Sequence, residues 1–430
     1  MISGFSTTKN MMMRPIRVFS LLIVAATTAG ATSSARVQTP PMGWTSWNAF
    51  TTDVDQELVE ATAKALVEKG LAAHGYIYVN VDSCWQGSRS AKGTLALQPN
   101  GKFPDMAGMV RRIHALGLKA GIYSTPMVHA WGSRDNLLLP GSTGYPLDPK
   151  YFHPYFGGCG KRGFEEVDAR QFAQWGFDWL KYDWNRTEPH HTRIMREALD
   201  KTGRDIVLQV CTGCKVSNAV EYATCCELVR GNTDTRDDWA HLRDRVMKRC
   251  DPWLKHIRPG FWYDLDMLAL GAMRIRRDEK TVHPARPGEV PAKQLQNRMT
   301  RDEQTSHFAW WAIIPMPLFL SCDIVNIDDF TLSLVTNDDL IAINQDYPAK
   351  PASFEDIAGG KRRIWMRELS GGRKVLGFFN LVEDEWDVNY PLSGMNDVRD
   401  ALAKFDLGGK DRIEVAIRPH ACKVYVIGQK

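Results

Sequence analysis

From Pro41 to about Gln345, short apolar runs alternate with segments whose apolar residues recur every three or four positions. The runs are Met42–Trp47, Tyr76–Asp82, Lys119–Tyr123, Trp179–Asp183, Ile206–Val210, Leu228–Gly231, Gly260–Asp264 and Leu318–Ser321. Between them lie amphipathic stretches such as Leu58, Ala61, Ala65 and Leu66, or Met109, Ile113 and Leu116, which put one apolar stripe on a helix. Alternation of this kind predicts repeated βα units around a parallel sheet. Eight runs in about three hundred residues predict an α/β fold of the (β/α)8 TIM-barrel type. An open doubly wound sheet is the alternative, but no G-x-G-x-x-G follows the first run.

After Pro348 the period changes from helix-like to strand-like. Arg363–Met366, Lys374–Asn380, Asp387–Tyr390, Arg412–Ile417 and Lys423–Ile427 are short runs divided by turn signals such as Ser370-Gly371-Gly372 and Gly408-Gly409. They predict a small antiparallel all-β sandwich domain. The expected organisation is a leader over 1–31, a barrel over 36–346 and the β domain over 347–430. One connector, Arg274 to Arg298, carries seven basic residues against three acidic ones and follows the seventh predicted strand. Loops after barrel strands lie on the active-site face, so this insertion either covers a substrate subsite or is a solvated surface loop.

Composition narrows the class. The chain has 430 residues, 44% of them hydrophobic and 24% charged, which excludes disorder, collagen and a multi-spanning membrane protein. Its net charge of +4 is concentrated at the start. Lys9, Arg14 and Arg17 precede the apolar stretch Val18 to Ala26, small residues follow to Ala31, and no acidic residue lies before that point. This reads as an export signal and predicts a secreted or periplasmic protein, with no membrane attachment once the signal is removed. Its loss lowers the charge to +1, which argues against a nucleic-acid partner. Nine cysteines in an exported chain permit disulfides without proving them. Adjacent Cys225 and Cys226 suit tetrahedral metal ligation poorly, and no metal is expected.

Barrel enzymes work at the C-terminal ends of their strands, and here those ends are acidic. Asp82 closes the second run and Asp183 the fourth; Asp234 follows the sixth, and Asp264 with Asp266 the seventh. Trp44, Trp47, Trp85, Tyr123, Tyr182, Trp184 and Trp262 are interleaved with them. Carboxylates grip sugar hydroxyls while aromatic faces pack on the apolar face of a pyranose, so the pattern predicts a carbohydrate site. A single strand-end Asp is commonly a helix cap; five around one rim are not explained that way. No H-E-x-x-H, G-x-S-x-G or phosphate-binding loop competes.

Several longer motifs carry a resemblance. Thr39-Pro-Pro-Met-Gly-Trp-Thr-Ser-Trp-Asn48, Val81-Asp-Ser-Cys-Trp-Gln86, His114-Ala-Leu-Gly-Leu-Lys-Ala-Gly-Ile-Tyr123, Trp175-Gly-Phe-Asp-Trp-Leu-Lys-Tyr-Asp183, Pro259-Gly-Phe-Trp-Tyr-Asp-Leu-Asp-Met-Leu268 and Thr336-Asn-Asp-Asp-Leu-Ile-Ala-Ile-Asn-Gln-Asp346 resemble glycoside hydrolase family 27. That is the α-galactosidase and α-N-acetylgalactosaminidase family, built as a (β/α)8 barrel followed by an antiparallel β domain. The resemblance implies a retaining exo-glycosidase acting on an oligosaccharide or polysaccharide, with Asp183 as nucleophile, Asp234 as acid/base and no cofactor. Retention implies carboxyls roughly 5 Å apart. Trp47, Asp82, Tyr123, Lys181, Arg230 and Asp266 match positions that line the family's sugar site. For Arg230 a structural ion pair is the alternative.

The departures concern recognition and bracing. Asp82-Ser83 stands where the family usually has two aspartates that hold the hydroxymethyl end and axial hydroxyl of galactose. The loss of one charge-assisted acceptor is worth about 1.5–3 kcal/mol. Cys211-Thr212-Gly213-Cys214 replaces Cys-Glu-Trp-Gly, and Tyr263 replaces the Asn before Asp264. Ser83, Thr212 and Asp264 therefore complete the expected substrate-binding set. The resemblance implies a Cys211–Cys226 disulfide; Cys214 with Cys225 could form a second rung, but the adjacent cysteines leave that pairing open, and Cys84 and Cys159 lack their family partners. Three activities are expected in turn: an α-galactosidase, the same mechanism on another sugar such as a β-L-arabinopyranoside or an α-glucan, or a non-catalytic carbohydrate-binding barrel.

Overall fold

The computed structural model describes residues 36–89, 95–126, 163–183, 187–273 and 296–429. The expected leader, Cys159, Trp184 and most of the basic connector lie outside these residues.

The barrel strands begin where apolar runs meet turn residues. β1 is Met42–Thr45, β2 Tyr78–Val81, β3 Gln86–Arg89, β4 Leu97–Pro99, β5 Lys119–Ser124, β6 Trp179–Asp183, β7 Val207–Cys211, β8 Leu228–Val229, β9 Trp262–Tyr263 and β10 Leu318–Leu320. β3 and β4 form a separate antiparallel hairpin. The other eight pair in parallel in the order β10-β1-β2-β5-β6-β7-β8-β9. The chain beyond β9 brings the sheet's two ends together: Leu268 pairs with Leu320, and its N–H donates to the Phe319 carbonyl at 2.8 Å. The eight predicted runs are these eight strands.

Helices between the strands are started by side-chain caps that satisfy their first free N–H groups. Asp55 caps Gln56–Glu68 by accepting from Leu58, and Asp105 caps Met106–Ala115 by accepting from Gly108. Thr300 and Glu303 form a reciprocal capping box on Arg301–Ile313. The apolar stripes read from the sequence face inward in part: Ala65, Leu66, Met109 and Ile113 are buried and Leu58 is half-buried, whereas Ala61 and Leu116 at the stripe edges are exposed.

The C-terminal strands are β11 Ser353–Ile357, β12 Arg362–Glu368, β13 Lys374–Asn380, β14 Trp386–Asp400, β15 Phe405–Ile417 and β16 Cys422–Gln429. They pair antiparallel in the order β11-β12-β13-β16-β14-β15 and fold into a sandwich. Alternation along each strand divides its residues between two cores. Ile364, Leu376, Phe378, Trp386, Val388, Ile413 and Tyr425 fill the sandwich. Their neighbours Trp365, Val375, Phe379 and Val424 join the core shared with the barrel. There Trp310 of the Arg301–Ile313 helix packs edge-on against Trp365 and Phe379, with ring centroids 5.2 and 5.1 Å away.

Candidate active site

Parallel strands deliver their C-terminal ends to one face. Asp183 is the last residue of β6, and Asp82, Arg230 and Asp264 directly follow β2, β8 and β9. Asp82, Ser83, Asp183, Arg230, Asp264 and Asp266 are all buried. Asp234 is the exception, with 65% of its side chain exposed at the mouth. Asp82, Lys181, Asp264, Asp266 and Met267 line a narrow floor cavity of about 20 Å³ together with Thr45, Asn80 and Gln209.

Two cations organise the acids. Lys181 of β6 donates to Asp82 Oδ2 at 2.7 Å. Burial alone would lower its pKa, but Asp82, Cys211 and Asp183 hold it above the usual ammonium value. Arg230 makes a close ion pair with Asp266 and donates to Asp234 Oδ1 at 3.0 Å. Its burial, too, is outweighed by surrounding negative groups, chiefly Asp266, so it stays charged. Burial pushes Asp183 above its ordinary carboxylate pKa, while Lys181 and Arg230 pull it back. The nearby Asp234 carboxylate adds to the upward push on Asp183. Asp266 is pushed up to about 6 by burial, against the pull of Arg230.

The loops are braced from within. Ser46 Oγ accepts the Asp82 N–H at 3.0 Å, and Asp82 Oδ1 accepts the Ser83 N–H at 2.8 Å. Asp266 has a left-handed backbone, φ 77°, and its Oδ2 accepts the Thr235 N–H at 2.7 Å, beside Asp234. Gly231 follows Arg230 because a Cβ there would sit 2.5 Å from the Cys214 carbonyl oxygen. That approach lets Cys214 N–H donate to the Arg230 carbonyl at 3.2 Å.

The remaining expected residues fall at different depths. Tyr123 of β5 is buried, its ring 5.5 Å from Lys181 Nζ. Trp47 is partly buried against the core at the start of the helix Trp47–Phe50. Thr212 is half-buried, its carbonyl accepting from Thr187 Oγ1 at 3.3 Å. Arg230 forms ion pairs with Asp266 and Asp234, the structural role given as the alternative to lining the sugar site.

The expected Cys211–Cys226 disulfide is absent: both residues are free thiols, as are Cys214, Cys225, Cys250, Cys322 and Cys422. The reason is direction. Cys211 ends β7 on the site side, among Asp183, Arg230, Lys181 and Asp264. Cys226 lies just before β8, its Sγ 3.3 Å from the Tyr222 carbonyl and its neighbours Cys225, Cys214 and Glu227. The expected Cys214–Cys225 rung is absent as well, Cys225 directing its thiol towards the Pro189 and Glu221 carbonyls. Burial raises the Cys211 pKa far above a thiol's usual value, which keeps it protonated and unreactive.

Sequence reading also missed Gln209, whose Nε2 donates to Asp264 Oδ2 at 2.5 Å. Its signal was an amide inside an otherwise apolar strand, Val207–Cys211.

Comparison with known proteins agrees with this geometry. The family described as alpha galactosidase A matches residues 39–286 and 295–346, and the alpha galactosidase C-terminal beta sandwich domain matches 359–427. An alpha-galactosidase from Coffea arabica is 32% identical over 408 residues, spanning 90% of this chain and 93% of that protein. The crystal structure of alpha-galactosidase I from Mortierella vinacea shares the fold with TM-score 0.74 at 24% identity, covering 92% of this chain and 98% of its own. A β-L-arabinopyranosidase of glycoside hydrolase family 27 from Geobacillus stearothermophilus, solved with arabinose, has TM-score 0.79 at 23% identity, covering 94% and 100%.

Proposed function

The chain belongs to the alpha galactosidase A family, glycoside hydrolase family 27, and we propose that this glycosidase cleaves terminal α-galactosides with retention through Asp183 and Asp234. One observation carries the assignment of roles: buried Arg230 stands beside Asp183 and hydrogen-bonds exposed Asp234, separating a deep carboxylate from one at the mouth. Asp183, its charge favoured by Lys181 and Arg230, attacks the anomeric carbon. Protonated Asp234 donates to the glycosidic oxygen as the bond to the leaving group breaks. A glycosyl ester on Asp183 results; Asp234 then takes a proton from water, which attacks the same carbon and frees Asp183. The solvent-facing side of Asp234 is where a leaving oligosaccharide departs, so the terminal sugar occupies the buried end. Asp183→Asn and Asp234→Asn are each expected to abolish turnover of a nitrophenyl α-galactoside; full activity in either variant overturns the roles.

A second reading keeps the mechanism and changes the sugar to a β-L-arabinopyranoside, which lacks the hydroxymethyl group. It is favoured by Ser83 in place of a second carboxylate at the rim, where the pyranose terminus would be held. A panel of nitrophenyl glycosides separates the two: clean preference for the α-galactoside excludes arabinopyranoside as the substrate. The same proposal places the enzyme outside the cytoplasm after cleavage near Ala31. Mass spectrometry of the exported protein's N-terminus checks that site.

A further inference from the structure

We propose that Gln209 is a positioning residue for the acid/base, acting through Asp264, Asp266 and Arg230; the inference rests on the assignment of Asp234 as acid/base. Gln209 interrupts the apolar strand β7 and lines the floor cavity. Its amide orientation is settled by chemistry. The Trp179 indole N–H can only donate, and it lies 3.1 Å from Gln209 Oε1, so the amide nitrogen must face Asp264. Asp264 Oδ2 accepts that amide at 2.5 Å, and its Oδ1 accepts the Asp266 N–H at 2.8 Å.

The second bond has a structural consequence. Asp266 adopts φ 77°, a conformation that residues with a Cβ resist, and its N–H is fixed there by Asp264. From that backbone its carboxylate reaches both Arg230 and the Thr235 N–H, on either side of Asp234 in sequence. Arg230 then donates to Asp234 at 3.0 Å. Each link from Gln209 to Asp234 thus has an identified donor and acceptor, and each residue before Asp234 is buried except the half-buried Gln209 itself. Asp234 is held from behind by this chain while its outer side faces solvent. The other charged or titratable groups that face the floor are Lys181 of β6, Asp82 after β2, Asp183 at the end of β6 and Cys211 of β7.

The test compares kcat/KM for an alkyl α-galactoside, whose leaving group needs a proton, with that for the 2,4-dinitrophenyl α-galactoside, whose leaving group does not. Gln209→Leu is expected to lose about 100-fold on the alkyl substrate, within the usual range for acid/base assistance, and less than about threefold on the activated one. Gln209→Glu keeps the acceptor for Trp179 but turns a carboxylate towards Asp264. Relative to wild type at the same pH, it is expected to be impaired when both groups are ionised. It should recover as pH falls, when one proton between them restores an O–H donor. Folding of both variants is checked by near-ultraviolet circular dichroism, and if Gln209→Leu does not fold, Gln209→Glu carries the test. Equal losses on the two substrates, a loss in Gln209→Glu that ignores pH, or no loss in either variant overturns the positioning role. Wild-type protein inactive on both substrates instead overturns the function itself.

Discussion

Lys181 connects two roles that separate on substitution. Its ammonium is the near neighbour of buried Asp82 and one of two cations that favour ionised Asp183. Lys181→Met leaves Asp82 buried without its partner, a change that typically costs about 3–5 kcal/mol and should show as a lowered Tm. It also removes a group that lowers the Asp183 pKa. In the proposed mechanism Asp183 acts when ionised, so raising its pKa is expected to move the acid limb of kcat/KM to higher pH; an unmoved limb refutes the electrostatic part of this account. Asp266 gives a stability test with a definite sign. Its folded pKa is pushed up to about 6, above the unfolded value near 4. The folded chain therefore holds a proton that the unfolded chain releases, and stability is greatest below about pH 4 and declines as pH rises through about 6. In Asp266→Asn this part of the slope in Tm against pH should disappear. The acids at the strand ends were readable because each closes or shortly follows an apolar run. Gln209 was not, because a lone amide in a strand carries no period, and only the fold shows that it meets Asp264.

Strands were legible where burial coincides with an apolar run; β3, Gln86–Arg89, is mostly buried but polar in sequence and was missed. All five residues of Trp179–Asp183 were read correctly, and four of them are buried. β11, Ser353–Ile357, was missed: it is an edge strand with no buried residue, so its sequence has no apolar side to reveal. β14 was read only as Asp387–Tyr390, although it continues to Asp400. A register shift between Pro391 and Asn396 breaks the alternation there, and most residues between them are exposed. The cysteines show the opposite error, since the family resemblance implied a Cys211–Cys226 bridge that this chain does not form. Titration of denatured, unreduced protein should find Cys211, Cys214, Cys225, Cys226, Cys250, Cys322 and Cys422 as free thiols, whereas a Cys211–Cys226 bridge would hide two. Gly231 tests how closely the β7 and β8 loops must approach. In Gly231→Ala the new methyl meets the Cys214 carbonyl, so the loop carrying Arg230 and Asp234 must shift. Both Tm and kcat/KM should fall; unchanged kinetics would show that the approach does not position Arg230.

At the scale of the whole molecule, the β sandwich is tied to the barrel by contacts that leave little reason for separate unfolding. Arg367 is buried, and its guanidinium donates to the carbonyls of Ile313, at 2.8 Å, and Ile343, near the ends of the helices Arg301–Ile313 and Asp338–Asn344. Both carbonyls lie in the last turns of their helices, so the arginine adds a donor to barrel backbone from the sandwich side. Burial lowers its pKa to about 10, yet it remains protonated at neutral pH. Arg363 joins Asp251 and Asp356 across the same junction, 3.8 Å over the Phe354 ring. Trp365 fills the space between Trp310 and Phe354 and is fully buried. Gly377 lies so close to Ile313 that a side chain there would collide with it. The sequence showed a change of period near Pro348 but not this junction, because the alternation that builds the second core is the same alternation that builds the first. Trp365→Ala should therefore cost about 3–5 kcal/mol, the usual range for emptying a buried tryptophan site. It should lower the melting of both parts together, measured as coincident loss of circular dichroism and of glycosidase activity. Activity persisting after the β signal has melted would show that the barrel stands without its sandwich.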